Sequence, residues 1–178
     1  MPVEARAALG EAMLADVLAA CETVGPVYVV TPAEGLAVAA AVVADRATGQ
    51  AAAVHTGLDA AVAAGAPAPY LVVNADLPCL TARDLLALAG SIPDGGLALV
   101  PAGDGTTNAL GLASAERFEP LYGPGSAARF AAIEGARTLE VPNLVDDVDT
   151  VEDLERLRRR VGPNTRRVLA RLQLGAAA

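Results

Sequence analysis

In Tyr70-Leu-Val-Val-Asn-Ala-Asp-Leu-Pro-Cys-Leu-Thr81, a run of four apolar residues stops at Asn74 and Asp76, and Pro78 forbids its continuation. The run reads as a short buried strand. Thr81, with Asp84 three residues on, then carries the signature of a capping box and predicts a helix over 82–89. Strand, carboxylate, turn and helix follow one another within twenty residues. In an open α/β sheet, ligands bind outside the carboxyl ends of the strands, so Asp76 stands where a metal ion or a phosphate would sit. The ordinary alternative is a turn aspartate that bonds its own backbone.

Outward from this stretch the same alternation recurs. Leu9, Met13, Val17 and Ala20 repeat at helical spacing and predict a helix over 2–21. Residues 26–31 read as a strand, 34–44 as an alanine-rich helix, 51–54 as a short strand, and 56–64 as a helix opened by Gly57. Beyond the helix at 82–89 come a strand over 96–100 and a polar, glycine-containing loop over 102–108. A strand over 109–113 and a helix from Gly123-Pro-Gly-Ser126 to about residue 134 follow. Short extended pieces are expected at 138–141 and 144–145, a Thr150-capped helix after them, and a basic helix over 165–174. Strands alternating with helices at this spacing mean βαβ units in a three-layer, mainly parallel sheet. The expectation is one α/β domain over 1–162 with a basic helical tail over 163–178.

Composition narrows the class. The chain is 53% apolar but only 3% aromatic, so its core must be built from Ala, Val and Leu. All 13 fixed cations are Arg; seven lie from Arg156 onward, where there is no acid. The first 155 residues therefore set six Arg against 21 acids, a net charge of −15. So acidic a body argues against nucleic-acid binding, yet admits an anionic substrate where a metal ion supplies positive charge. Two cysteines and one histidine give neither a disulfide framework nor a zinc pattern. No signal peptide or membrane-length apolar run is read, and a cytoplasmic protein is expected.

Three further stretches could carry chemistry. Gly103-Asp-Gly-Thr-Thr-Asn108 offers a glycine-rich approach and two hydroxyls. Gly123-Pro-Gly-Ser126 places Ser126 as a helix cap whose following N–H groups would receive an anion, with Arg129 one turn in. Asp147 and Asp149 flank Val148, so in extended backbone they point to one side, where a cation such as Mg²⁺ would relieve their repulsion. Each has an ordinary alternative: a surface turn, a capped helix, a solvated acidic loop.

Taken in order, Asn-Ala-Asp-Leu-Pro (74–78), Gly-Thr-Thr-Asn-Ala-Leu (105–110), Tyr-Gly-Pro-Gly-Ser-Ala-Ala-Arg (122–129) and Asp-Val-Asp-Thr-x-x-Asp-Leu (147–154) resemble one family. It is the 2-phospho-L-lactate or phosphoenolpyruvate guanylyltransferases of coenzyme factor 420 (5-deazaflavin) biosynthesis. The resemblance covers nearly the whole chain. It implies a nucleotide-diphospho-sugar transferase-like fold and transfer of GMP from GTP onto a phosphorylated three-carbon acid, with release of pyrophosphate. It further implies Mg²⁺ on Asp76, Asp147 and Asp149, with Asp76 catalytic. Thr107, Gly123 and Ser126 would grip the small acid, and Gly57 would lie at the nucleotide. At 59 this chain has Asp where the family has asparagine.

The family opens with a strand and a basic loop of the type Pro-x-Lys…Lys-x-Arg-Leu, whereas this chain starts at the helix that should follow. The expectation is that the true start lies upstream or that another segment fills the gap. Otherwise two inner strand edges would be left unpaired. Alternatives kept open are a non-catalytic homologue that binds GTP or the acid, and a molybdenum-cofactor guanylyltransferase-like enzyme. The identity of the acid and the choice between monomer and homodimer are also left open.

Overall fold

The computed structural model describes residues 1–32, 39–45 and 49–176, and the side chains of all these up to residue 172. The central element is a four-stranded sheet of β3 (Tyr70–Val73), β4 (Leu97–Pro101), β5 (Thr107–Leu112) and β6 (Ala136–Thr138), in the order β3-β5-β4-β6. β4 and β6 run parallel, while β5 is antiparallel to both neighbours. The polar, glycine-containing loop read over 102–108 makes this reversal and returns the chain beside β4. Apart from this sheet, β1 (Tyr28–Thr31) and β2 (Ala41–Ala44) form a parallel pair.

Side chains alternate between two apolar cores, as strand geometry requires. Ala98, Val100 and Ala109 face one side, where Val17 of α1 (Val3–Glu22) and Leu85 and Leu88 of α3 (Ala82–Ala89) cover them. Leu97, Leu99, Leu110 and Leu112 face the other, against Leu58 of α2 (Gln50–Ala63) and Phe130 of α4 (Ser126–Ala131). The result is three layers, helices–sheet–helices. Small helices α5 (Pro142–Val145) and α6 (Val151–Leu157) follow β6, and α7 (Pro163–Ala176) packs on α1.

Among the described residues, that last contact is anchored by Asp16. Asp16, 5% exposed, accepts from the backbone N–H groups of Asn164 and Thr165 at 2.9 Å each and from the Asn164 amide at 3.0 Å. A carboxylate of one helix thus caps the start of another. The basic helix expected over 165–174 is therefore docked on the domain at its first turn.

Several readings change. Residues 34–44 were expected to be helical; 41–44 are strand β2, because the two valines pair with β1 and tertiary pairing overrides alanine's helix preference. Of the rest of that segment, 34–38 lies outside the described residues and 39–40 are not helical. Residues 51–54 are not a strand but the first turn of α2, where three successive alanines favour helix. Gly57 consequently sits inside α2 rather than at its start. A Cβ there would lie 2.9 Å from Val30 Cγ2, so the glycine permits close helix–strand packing. Residues 144–145 belong to α5, whose first helical position is Pro142. The helix expected over 123–134 is shorter, and its cap is Gly125 in the left-handed region (φ 72°), with Ser126 the first helical residue.

Candidate functional site

Asp76 lies in the turn after β3, and that turn is held on three sides. Leu77 is fully buried, Leu80 N–H bonds Leu77 O at 3.0 Å, and Gly162 N–H bonds Pro78 O at 2.7 Å. The decisive bond is Val148 N–H to Asp76 O at 3.1 Å. It ties the Asp147–Asp149 segment to Asp76 through the backbone, so Asp76 and two aspartates about 70 residues further along the sequence enter one cleft. The cleft, about 490 Å³, is also lined by Gly10 and Met13 of α1, Gln50, Asn74, Asp104 and Thr106.

The electrostatics of the cleft are unfavourable as it stands. Burial first, then the charges of Asp147 and Asp149, push the Asp76 carboxyl above the usual carboxylate range. Asp147 is pushed up by burial and by Asp149 and Asp104, while a hydrogen bond from Asn108 pulls it partly back. Asp76 Oδ1 is buried with no hydrogen-bond partner. An orphaned carboxylate oxygen among like charges is what a cation would satisfy. Among the described residues, no three acidic, His or Cys side chains already stand in chelating geometry. The donor set thus suits an ion that takes one or two carboxylates and keeps the rest of its shell for water and phosphate, as Mg²⁺ does.

Behind the carboxylates runs a chain of amides. Gln50 Nε2 donates to Asn74 Oδ1 at 2.9 Å, Asn74 Nδ2 donates to Asn108 Oδ1 at 3.3 Å, and Asn108 Nδ2 donates to Val145 O at 3.2 Å. It links α2, β3, β5 and α5 just below Asp76 and Asp147. Gln50 and the positioning role of Asn108 escaped the sequence reading. Gln50 carried no signal because the residues after it read as a strand, whereas Asn108 was already part of a quoted motif.

Thr107 and Ser126 do meet. Their hydroxyls are 3.0 Å apart, with Thr107 1% and Ser126 0% exposed. Their loops are joined by Ala127 N–H to Gly105 O at 3.2 Å, and Gly123 (φ 113°) and Gly125 provide the turn. Arg129 was read as an aid to an anion. Its guanidinium instead donates to the carbonyls of Leu121, Tyr122 and Pro124, holding the glycine turn in shape. Thr106 borders the carboxylate cleft while the neighbouring Thr107 reaches Ser126, so the loop over 104–107 connects the two places. Asp104 fixes that loop by accepting from Thr106 N–H at 2.8 Å and Thr106 Oγ1 at 2.7 Å, bonds that hold its own carboxyl below the usual range.

Gly57 is separate from these groups. It lines a larger cavity between β1 and β3 that meets the cleft only at Gln50, Asn74 and Ala75. His55 also lies elsewhere, with Nδ1 3.1 Å from Asp59 and its ring beside Phe118. Both cysteines are free; burial pushes the Cys21 thiol up to about 11 and raises that of Cys79, so neither is an activated nucleophile. No helix among the described residues is long and apolar enough to cross a membrane.

Comparison with known proteins bears on the family and the fold. Residues 6–172 match the MobA-like NTP transferase domain. A phosphoenolpyruvate guanylyltransferase of Nocardia farcinica is 38% identical over 189 aligned residues, covering 93% of this chain and 80% of that protein. A 3-phospho-D-glycerate guanylyltransferase of Phenylobacterium zucineum is 36% identical, covering 94% and 85%. In the phosphoenolpyruvate guanylyltransferase of Sphaerobacter thermophilus the similarity is higher, 41%, but spans 57% of this chain and only about half (51%) of that protein's length. The fold resembles that of a Desulfovibrio desulfuricans G20 protein assigned as a nucleotide-diphospho-sugar transferase, with a TM-score of 0.74 at 18% identity over 96% of this chain and 84% of that one. With a carboxylate cleft at the carboxyl end of β3 and a domain match over most of its length, the chain belongs to the MobA-like NTP transferase family.

Proposed function

We propose that the protein is a guanylyltransferase that moves GMP from GTP onto a phosphorylated three-carbon acid, with release of pyrophosphate. The acceptor is phosphoenolpyruvate, 2-phospho-L-lactate or 3-phosphoglycerate, and the product feeds 5-deazaflavin cofactor biosynthesis in the cytoplasm. The observation that carries this reading is the union of Asp76, Asp147 and Asp149 in one cleft, with Asp76 Oδ1 unsatisfied. The names of relatives aligned over more than nine tenths of the chain supply the nucleotide and the acid.

The reaction needs no general base. The attacking group is a phosphate oxygen of the acceptor, already ionised at neutral pH. It bonds to the α-phosphorus of GTP as the bond from that phosphorus to the bridging oxygen breaks and pyrophosphate leaves. A site without a histidine or lysine is therefore adequate. What it must do is hold two polyanions together in line and balance their charge. Asp76, with Asp147 or Asp149 beside it, would hold Mg²⁺, which supplies the positive charge that the cleft's own side chains lack. The amide chain from Gln50 to Asn108 keeps the carboxylates oriented. Thr107 and Ser126, with the Gly123 turn, form the acid-binding wall. The wall opens toward a ligand through Thr106, because the two hydroxyls now satisfy each other.

The test is pyrophosphate release from GTP and Mg²⁺ with each of the three acids in turn. Release with at least one acid is expected, and absence of release with all three overturns the reading. GTP binding without turnover would point instead to a non-catalytic binding protein.

A further inference from the structure

Asp146-Asp-Val-Asp149 holds three acids, and an extended backbone can turn no more than two of them to one side. Asp147 and Asp149 line the carboxylate cleft. The residues between and before them face back toward α6. Val148 packs against the cluster of Cys79, Leu157 and Val161, and Asp146 accepts from Arg156 Nη1 and, at 2.7 Å, from Arg160 Nη1. A slip of one residue would reverse this choice, putting Asp146 and Val148 in the cleft and Asp147 behind it. An apolar contact and a pair of guanidinium groups therefore select which acids face a ligand.

Arg156 grips the segment at both ends. Besides Asp146, it reaches Asp153, with Nη2 donating to Oδ1 at 2.9 Å. The other oxygen of Asp153 accepts from Thr150 N–H at 2.9 Å, from Thr150 Oγ1 at 2.7 Å and from Asp149 N–H at 3.3 Å. One planar fork thus connects the residue before Asp147 with the carboxylate that holds the backbone of Asp149. Arg160 extends the frame to α5, where its Nη2 donates to Pro142 O at 3.0 Å and Asn143 Oδ1 at 2.8 Å. The Arg156 side chain is 51% exposed, and ion pairs that open add little to stability. Their effect lies in orientation, for which a rigid fork suits better than the point charge of a lysine.

We propose that Arg156 is a positioning residue for the metal site, holding Asp147 and Asp149 toward Asp76 from behind. The proposal rests on the reading that Asp76, with Asp147 or Asp149, holds Mg²⁺. It makes a prediction of definite sign. Arg156 is a cation near a cation site, so by charge alone its removal would tighten metal binding. As the brace of the carboxylates, its removal loosens metal binding.

The experiment titrates Mn²⁺, in place of Mg²⁺, into the purified protein without nucleotide and follows free Mn²⁺ by electron paramagnetic resonance. Saturable uptake by the native protein is expected, weakened at least about tenfold in both Arg156→Gln and Arg156→Lys. Arg159→Gln removes a neighbouring exposed charge outside the brace and should bind Mn²⁺ as the native protein does or more tightly. All three variants should melt within about 4 °C of the native protein. In pyrophosphate release, the Mg²⁺ concentration for half-maximal rate should rise at least about tenfold in the Arg156 variants, with kcat at saturating Mg²⁺ within about threefold of native. Native or tighter Mn²⁺ binding by Arg156→Gln overturns the proposal, as does full retention of affinity by Arg156→Lys. A loss of affinity in Arg159→Gln equal to that in Arg156→Gln, or one matched by a fall in melting temperature of more than about 10 °C, overturns it too. Absence of Mn²⁺ uptake by the native protein overturns the metal reading and this proposal with it, whereas uptake that the Arg156 variants match overturns this proposal alone.

Discussion

Strands β4 and β3 are written in the same apolar alphabet and sit in the same sheet, but their surroundings differ. β4 lies between β5 and β6, its first four residues fully buried; β3 has β5 on one side and the cavity toward β1 on the other, and is half-buried throughout. β1, which among the described residues pairs in a ladder with β2, resembles β3. An apolar strand sequence states a demand for cover, and position in the sheet determines whether the demand is met. The chemistry follows the same division. The turn carrying Asp76 leaves β3 at the boundary between the closed part of the sheet and the open part.

This contrast can be broken by mutation. Leu99→Ala in β4 opens a cavity in a closed core and should cost about 2–5 kcal/mol, read as a loss of unfolding free energy in urea. Asp16→Ala leaves the first N–H groups of α7 without acceptors. It should cost about 1–3 kcal/mol, with protease sensitivity appearing first at the α1–α7 junction. Thr150→Ala removes the reciprocal cap with Asp153 and should cost about 1 kcal/mol, since α6 is short and exposed at that end. Val29→Ala in β1 should cost about 1 kcal/mol or less, because its side chain is only half-covered. If Val29→Ala costs as much as Leu99→Ala, the two regions are equally closed and the contrast fails.

A pH experiment sharpens it further. The carboxyls of Asp76 and Asp147 are raised in the folded state, so folding is opposed by their ionisation above that range. The opposition is fully present at neutral pH and fades as pH falls toward the ordinary carboxylate value. Asp76→Asn should therefore melt higher than the native protein at neutral pH, and the difference should shrink on acidification. Asp146 and Asp153 act in the opposite sense. Arg156 together with Arg160 or Thr150 lowers them, so their support for the fold is lost only in more acidic solution.

The legible parts of the sequence were those with a local cause. Pro78 ended β3, Thr81 and Asp84 capped α3, and the glycines around 103–105 turned the chain into β5. Asp76, Asp147 and Asp149 could be named because two motifs carried them, though the Val148–Asp76 backbone bond that joins them has no trace in either stretch. Ala41-Val-Val-Ala became a strand because β1 lay beside it, a choice made by a distant contact and illegible locally. The alanines after Gln50 kept their local helix preference, which a reading as strand had passed over. Arg129 looked like an anion ligand from its place in a motif, but it is occupied by three backbone carbonyls that only the folded turn presents.

In the proposed reaction Asp76 serves catalysis at the expense of the fold. The most direct measurement is GTP-dependent pyrophosphate release by Asp76→Asn beside the native protein at neutral pH, with melting temperatures recorded on the same samples. A higher melting temperature together with a loss of release of about 10²–10³-fold is the predicted result. Release within about threefold of the native rate, a barrier change under about 1 kcal/mol, would remove Asp76 from the mechanism and contradict the account.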